Sequence, residues 1–242
     1  MRKNRMEPTD EEKRQLQVDA EDALSRLSGK RPLFVEFAGT PKSGKSSCID
    51  TVNHFFRRLN YSVLAPTEGA SKRNPYYLKK DLVSFNAWSA TYALTHILEG
   101  RFGSDQYNLV IMDRGLFDAL AWFELLKRRK DITEKDCLAI QQFLLIDHWR
   151  ELVDIIFLFK ADSETSLNRE NQNKLIEEPG ITMNPSFLNE LNEAYETTRN
   201  QYADKFNLFK TLDTSHDANL TQHMAAYQVA QVIVQRLSLG ME

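Results

Sequence analysis

A run of glycine, lysine and serine near residue 40 has the residue types and the spacing that bind phosphate. It matches G-x-x-x-x-G-K-[ST] at every fixed position. With the serine after it, the segment consists of Gly39, Thr40, Pro41, Lys42, Ser43, Gly44, Lys45, Ser46 and Ser47. The glycines let backbone N–H groups turn towards an anion, and a helix that starts there adds its positive N-terminal end. The segment therefore predicts binding of a nucleoside triphosphate, and we take ATP as the ligand.

Lys45 and Ser46 have separate expected roles within this loop. We expect Lys45 to be a surface charge that reaches the β- and γ-phosphates, and the Ser46 hydroxyl to bind Mg²⁺. Both roles depend on a strand before the loop and a helix after it. The apolar run at 33–37 and the helical spacing of apolar residues at 48–59 supply both.

Three charged residues follow two other apolar runs. Asp113 and Arg114 come directly after a run of four apolar residues, and Glu68 follows a shorter run. In P-loop proteins an acid at such a strand end commonly completes the Mg²⁺ shell, so Asp113 joins Ser46 as a predicted metal residue. Arg114 could hold an anionic phosphoryl group, and Glu68 would lie in the crevice where open parallel sheets bind ligands. The alternative for Asp113 is a helix cap.

Strand-like and helix-like segments alternate along the chain. The predicted strands are 33–37, 61–65, 108–113, 154–159 and 207–212. The predicted helices are 9–27, 48–59, 82–98, 116–129, 133–151, one that starts near 163, 186–206, and a last one that ends near 237. This alternation predicts an α/β fold in which helices cover both faces of a five-stranded parallel sheet.

Composition sets the wider expectations. We divide the chain into a charged helical extension at 1–30 and a domain at 31–242. No apolar run approaches the ~20 residues of a membrane span, and a net charge of −3 gives no reason to expect a nucleic-acid partner. Only Cys48 and Cys137 are present, which predicts a reducing, cytoplasmic setting. The sequence leaves a homodimer open.

The order of these features resembles the thymidylate kinase and deoxynucleoside kinase families of P-loop kinases, over residues 31–237. Four segments carry the resemblance: the phosphate loop, Thr67-Glu68, Asp113-Arg114, and the stretch 162–181, in which Leu167-x-Arg169 precedes Glu177-Glu178-x-Gly180-Ile181. The last segment is similar to the lid of deoxynucleoside kinases. The resemblance implies a lid at 160–182 that closes over ATP and brings Arg169 and Lys174 to the transferring phosphate, while the strand ends face the acceptor.

Three departures from these families concern the acceptor and the lid. Such lids usually carry two or three arginines, whereas this one has Arg169 and Lys174. Thymidylate kinases typically have arginine where this chain has Thr67. The Glu-Arg-Ser pattern of deoxynucleoside kinases is here Asp113-Arg114-Gly115.

The leading hypothesis is an ATP- and Mg²⁺-dependent kinase that acts on a nucleoside monophosphate or a nucleoside. Lys45 would hold the phosphates, Glu68 would act as base or acceptor contact, and Arg114 would clamp the acceptor. A dianionic monophosphate needs cations, for which Lys72 and Arg73 are further candidates. The alternatives are a kinase of another small hydroxylated molecule and a nucleotide-dependent regulatory ATPase that acts through a protein partner.

Overall fold

A five-stranded parallel sheet forms the centre of the protein. The structure, a computed structural model, describes residues 7–66, 76–102, 106–173 and 182–239. The strands are β1 (Leu33–Gly39), β2 (Val63–Leu64), β3 (Leu109–Asp113), β4 (Ile155–Lys160) and β5 (Phe209–Asp213). Their order across the sheet is β2-β3-β1-β4-β5, and each neighbouring pair is parallel. The predicted α/β fold is confirmed.

Helices cover both faces of this sheet. Those in the described ranges are α1 (Asp10–Ser25), α2 (Lys45–Arg58), α3 (Leu82–Phe102), α4 (Leu116–Arg128), α5 (Glu134–Leu144), α6 (Asp147–Arg150), α7 (Ser163–Asn173), α8 (Pro185–Tyr202) and α9 (Gln222–Ser238). Short 3₁₀ turns at Tyr76–Lys80, Ala203–Lys205 and His216–Ala218 join some of them. Across the described ranges, no helix combines the length and the apolar character that a membrane crossing needs.

The central strand, β1, is buried along its whole length and contributes to two hydrophobic cores. Its residues Leu33, Val35 and Phe37 pack with α1, α2 and α9, whereas Phe34 and Ala38 pack with α3, α4 and α8. A strand covered on both faces is expected to be apolar throughout, as this one is apart from Glu36. The strand therefore holds its carboxyl end, where the phosphate loop begins, in a fixed position.

The N-terminal helix belongs to the first of these cores. Thr9 and Glu12 form a capping box that starts α1, and its buried residues Leu16, Ala20 and Ala23 join the core. The Tyr61 hydroxyl donates a hydrogen bond to the Ala20 carbonyl oxygen at 2.6 Å. The charged extension predicted from sequence thus packs against the sheet domain along its apolar side.

The prediction of one helix over 133–151 is wrong, because the segment forms two helices, α5 and α6, with a non-helical connection between them. Ile146 adopts an extended ψ of 126° and separates the two helices. A helix end leaves carbonyl oxygens without intrahelical partners. The Trp149 indole N–H donates to the Phe143 carbonyl oxygen at 3.0 Å, and the two rings pack 5.1 Å apart. This contact stabilises the break.

A buried ion pair fixes the amino end of β1. Arg31 donates to both carboxylate oxygens of Asp154, at 2.8 and 2.7 Å, and Asp154 is fully buried. The same carboxylate accepts the Phe34 N–H at 2.9 Å. The hydrogen bond to Asp154 raises the pKa of Arg31 above its usual value. The pair therefore joins the start of β1 to the start of β4.

Candidate active site

A cavity of about 540 Å³ lies at the carboxyl ends of β1, β3 and β4. Most of the predicted site residues that the structure describes line it. They are Pro41, Lys42, Ser43, Gly44, Lys45, Ser46, Ser47, Asp113, Arg114 and Arg169. Gly39 and Thr40 directly precede these loop residues. Thr214 and the first turn of α9 complete the wall. This is the crevice outside the strand ends in which open α/β sheets bind ligands.

The phosphate loop has the backbone shape that its sequence predicts. Gly44 has a φ of +96° and directly precedes α2, so it adopts the left-handed conformation that glycine tolerates best. Lys42 also has a positive φ of 60°. Gly44 has no side chain that could cap α2, and the first residues of this helix, Lys45 to Ser47, line the cavity. The N–H groups at the start of a helix can bind an anion.

The expectation that Lys45 is a surface charge is wrong, since this residue is only 5% exposed. Its ammonium group donates to the Gly39 and Thr40 carbonyl oxygens at 2.7 and 2.9 Å. A buried ammonium needs such acceptors because desolvation of an unpaired charge is costly. Lys45 still lines the cavity, so its charge lies where the phosphate loop would hold a triphosphate.

Ser46 and Asp113 meet at the floor of the cavity. The Ser46 hydroxyl donates to Asp113 Oδ2 at 3.1 Å, although the two residues are 67 positions apart in sequence. A hydroxyl and a carboxylate are the hard oxygen ligands that Mg²⁺ prefers. The oxygen atoms of Ser46 and Asp113 are therefore of the kind that could bind the predicted Mg²⁺.

Arg169 contacts the phosphate loop from α7. Its guanidinium donates to the Lys42 carbonyl oxygen at 3.0 Å and to the Thr214 carbonyl oxygen at 2.5 Å. The neighbouring Glu170 forms an ion pair with Lys42 at 2.8 Å. The Thr214 hydroxyl donates to the Ser43 carbonyl oxygen at 2.7 Å. The described part of the predicted lid is thus bonded to the phosphate loop, on which the lid is expected to act.

Arg114 lies at the end of β3 in a constrained conformation. Its φ is +69°, its N–H donates to the Phe37 carbonyl oxygen at 2.9 Å, and its guanidinium lies 5.6 Å from the centre of the Trp122 ring. The guanidinium also donates to Asp118 Oδ2 at 2.9 Å. Its charge is therefore matched by a buried carboxylate.

Two acids near the site were missed by sequence reasoning. Glu36 is fully buried on β1, where it accepts the Phe117 and Asp118 N–H groups at 3.2 and 2.8 Å. Burial raises the pKa of Glu36 to about 8. A lone acid inside an apolar strand was the available signal for Glu36. The spacing of four residues from Arg114 was the signal for Asp118.

Some predicted residues lie outside the described ranges. They are Thr67, Glu68, Lys72, Arg73, Lys174 and the segment 177–181. Their assigned roles stay predictions. For the predicted lid at 160–182, the described portion is 160–173 and residue 182.

Solved structures with a similar fold include deoxyadenosine kinases from M. mycoides. The structure with bound dCTP is 18% identical, with a TM-score of 0.57, over 84% of this chain and 100% of that one. The structure with bound dATP is 19% identical, with a TM-score of 0.57, over 86% and 100%. The structure with the products dCMP and a flexible dCDP is 19% identical, with a TM-score of 0.58, over 84% and 100%. At this identity the likeness establishes the fold.

Neither a protein-family model nor a curated protein sequence matches this chain.

Proposed function

We propose that the protein transfers a phosphoryl group from ATP to a hydroxyl group of a nucleoside, with Mg²⁺ as the metal. The observation that carries the proposal is the contact between Ser46 and Asp113, at 3.1 Å, inside a cavity that also contains Lys45, Arg114 and Arg169. Phosphoryl transfer needs little covalent chemistry from the protein. It needs donors and cations fixed around the transferring group.

Each residue would contribute position or charge. Backbone N–H groups at the start of α2 hold the phosphates, and Lys45 exchanges its carbonyl partners for phosphate oxygens. Ser46 and Asp113 would hold Mg²⁺, which would neutralise phosphate charge. Arg169 stabilises the charge that develops on the transferring group, and the Thr214 contacts orient its guanidinium.

The choice of a nucleoside over a monophosphate rests on the charge of Arg114. A phosphate ester carries about two negative charges at pH 7 and requires cations that are not already neutralised. Asp118 pairs with Arg114 and reduces the charge available to such an acceptor. The proposal is also supported by the fold, because the similar structures are of deoxyadenosine kinases, one with dCMP as a product. Glu68 remains the proposed base or acceptor contact.

A direct assay tests this function. The protein is incubated with ATP labelled at the γ-phosphate, Mg²⁺, and a panel of nucleosides and nucleoside monophosphates, and labelled products are separated. We expect a labelled nucleoside monophosphate. A labelled diphosphate would instead identify a nucleotide acceptor. ATP hydrolysis that no acceptor stimulates would favour the regulatory ATPase, and lack of ATP binding would contradict the proposal.

A further inference from the structure

Asp118 lies behind the cavity and joins three elements of the fold. It is 2% exposed, and its two oxygens have different partners. Oδ1 accepts the Gly39 N–H at 3.2 Å and the Tyr195 hydroxyl at 2.5 Å, while Oδ2 accepts from Arg114 at 2.9 Å. The same carboxylate thus contacts the first residue of the phosphate loop, the end of β3 and the helix α8.

Tyr195 and Arg114, two of the partners of Asp118, are kept as hydrogen-bond donors by their surroundings. Burial raises the pKa of Tyr195 well above its usual value, so its hydroxyl stays protonated and donates. Arg114 is flanked on another side by the Trp122 ring, at 5.6 Å, and is largely buried. A buried carboxylate with donors on both oxygens has little freedom to reorient.

Glu36 fixes the helix that carries Asp118. Because Gly115 precedes α4 and has no side chain, the helix lacks a cap of its own, and Glu36 from β1 accepts two of its first N–H groups. The first turn of α4 is thereby bonded to β1, the strand that leads into the phosphate loop. Asp118 is the third residue of that turn.

We propose that Asp118 is a positioning residue, which holds the Arg114 guanidinium towards the reaction while it anchors the Gly39 amide at the start of the phosphate loop. The inference rests on the proposed function and extends it to a residue behind the cavity. Asp118 does not line the cavity, so it acts through Arg114.

A purely structural role would make Asp118 equivalent to Asp154. That aspartate is also buried, pairs with an arginine, and accepts an N–H from β1, but at the opposite end of the strand. Asp154→Asn is therefore a matched control. It removes the same kind of ion pair without any contact to the cavity.

The experiment compares Asp118→Asn with this control in two backgrounds, wild type and Arg114→Gln. Asparagine still accepts from Gly39 and Tyr195 through its carbonyl oxygen, but its amide group faces the Arg114 donors. We measure kcat and KM for the nucleoside, the Kd for ATP, and the melting temperature of each variant. Tyr195→Phe is a second variant, since it removes one of the two donors to Oδ1 and leaves the pair with Arg114 intact.

We expect Asp118→Asn to lower kcat at least about tenfold, because a displacement of the order of 1 Å costs that much or more. The Kd for ATP should change less than about threefold, since the Gly39 contact remains. In the Arg114→Gln background neither Asp118→Asn nor Tyr195→Phe should lower kcat further. A loss of kcat no larger than that of Asp154→Asn, or an equal loss in both backgrounds, would overturn the inference.

A readout without turnover separates this inference from the proposed function. With Trp88 and Trp149 replaced by phenylalanine, the emission of Trp122 reports whether Arg114 still lies over its ring. We expect Asp118→Asn to shift this emission as Arg114→Gln does, and Asp154→Asn to leave it unchanged. If the wild-type protein phosphorylates no acceptor, the proposed function fails. Unchanged emission in Asp118→Asn would still reject the positioning role.

Discussion

The two ends of β1 carry nearly the same arrangement of groups, but one end adjoins the cavity and the other does not. At the amino end, Asp154 pairs with Arg31 and accepts the Phe34 N–H. At the carboxyl end, Asp118 pairs with Arg114 and accepts the Gly39 N–H. A buried ion pair is weak evidence for a net gain in stability. The pair at the amino end joins β1 to β4, whereas the pair at the carboxyl end is the one that we propose orients a charge for phosphoryl transfer.

The largest expected effect at the carboxyl end belongs to Lys45. We predict that Lys45→Met lowers kcat/KM by about 10³-fold, because one preorganised donor to developing charge is worth that much. Calorimetry should also show weaker ATP binding. Lys42→Met, in the same loop but half-exposed and paired with Glu170, should cost much less. Equal ATP affinity in Lys45→Met and the wild-type protein would contradict the placement of a triphosphate site at the carboxyl end of β1.

The second-largest effect is expected for Asp113→Asn. We predict that it lowers kcat about 10²-fold, since an amide neither neutralises nor positions the metal as a carboxylate does. Activity measured across a Mg²⁺ titration checks this. Asp213→Asn is the control, because Asp213 ends β5 and its carboxylate accepts the Ser215 N–H. A wild-type rate and titration for Asp113→Asn would leave Asp113 only as a structural partner of Ser46, because the helix that follows is capped by Glu36.

At the amino end the expected loss is in stability. Asp154→Asn should lower the free energy of unfolding by about 3–5 kcal/mol, because it leaves Arg31 partly buried without its carboxylate. The kcat of the folded protein should stay within about twofold of wild type, since distant sites act independently. Denaturant unfolding measures the first quantity. Asp22→Asn, which breaks an exposed pair with Arg26, should cost about 0–1 kcal/mol. A large loss of kcat in Asp154→Asn would contradict the view that the ion pair at the amino end of β1 has only a structural role.

The smallest expected effect is on the pH dependence of stability. It concerns Glu36, which lies between the two ends of β1. Burial raises the pKa of Glu36 from its ordinary 4.5 to about 8, so the folded protein binds this proton more tightly than the unfolded chain. The resulting stability is present below pH 4.5 and is lost as the pH rises towards 8. The stability advantage of wild type over Glu36→Gln should therefore shrink by at least about 1 kcal/mol over that window.

Unfolding by denaturant at several pH values tests this prediction. The control is Glu193→Gln, whose side chain is 71% exposed. If the difference between wild type and Glu36→Gln does not change with pH, Glu36 is ionised throughout. The two N–H donors at the start of α4 would then outweigh burial.

The parts of the site that are local in sequence were predictable. The phosphate loop lies within nine consecutive residues, and Asp113 is marked by the apolar run before it. The alternation of strands and helices was also enough to predict a five-stranded parallel sheet, although β2 is only Val63–Leu64 rather than 61–65. These features depend on spacing, which a sequence displays directly.

The buried acids could not be assigned in this way. Arg31 and Asp154 are 123 residues apart, and Glu36 bonds N–H groups that are 81 and 82 residues away. Such partners are brought together only by strand order, which the sequence pattern did not specify. The burial of Lys45 was missed for a similar reason, since its acceptors are carbonyl groups of the folded loop.

The contact between Glu36 and Gly115 has a consequence for the evolution of this fold. A Cβ atom at position 115 would lie 2.5 Å from Glu36 Oε2, which is closer than any real contact allows. A residue with a Cβ atom at position 115 therefore requires Glu36 to shift or to be replaced, whereas position 36 can change while Gly115 stays. A descendant that acquires serine after the Asp-Arg pair must first, or together, shorten or displace its glutamate. In an alignment of relatives, we expect a long acid at position 36 to occur with glycine at position 115 and to be missing elsewhere.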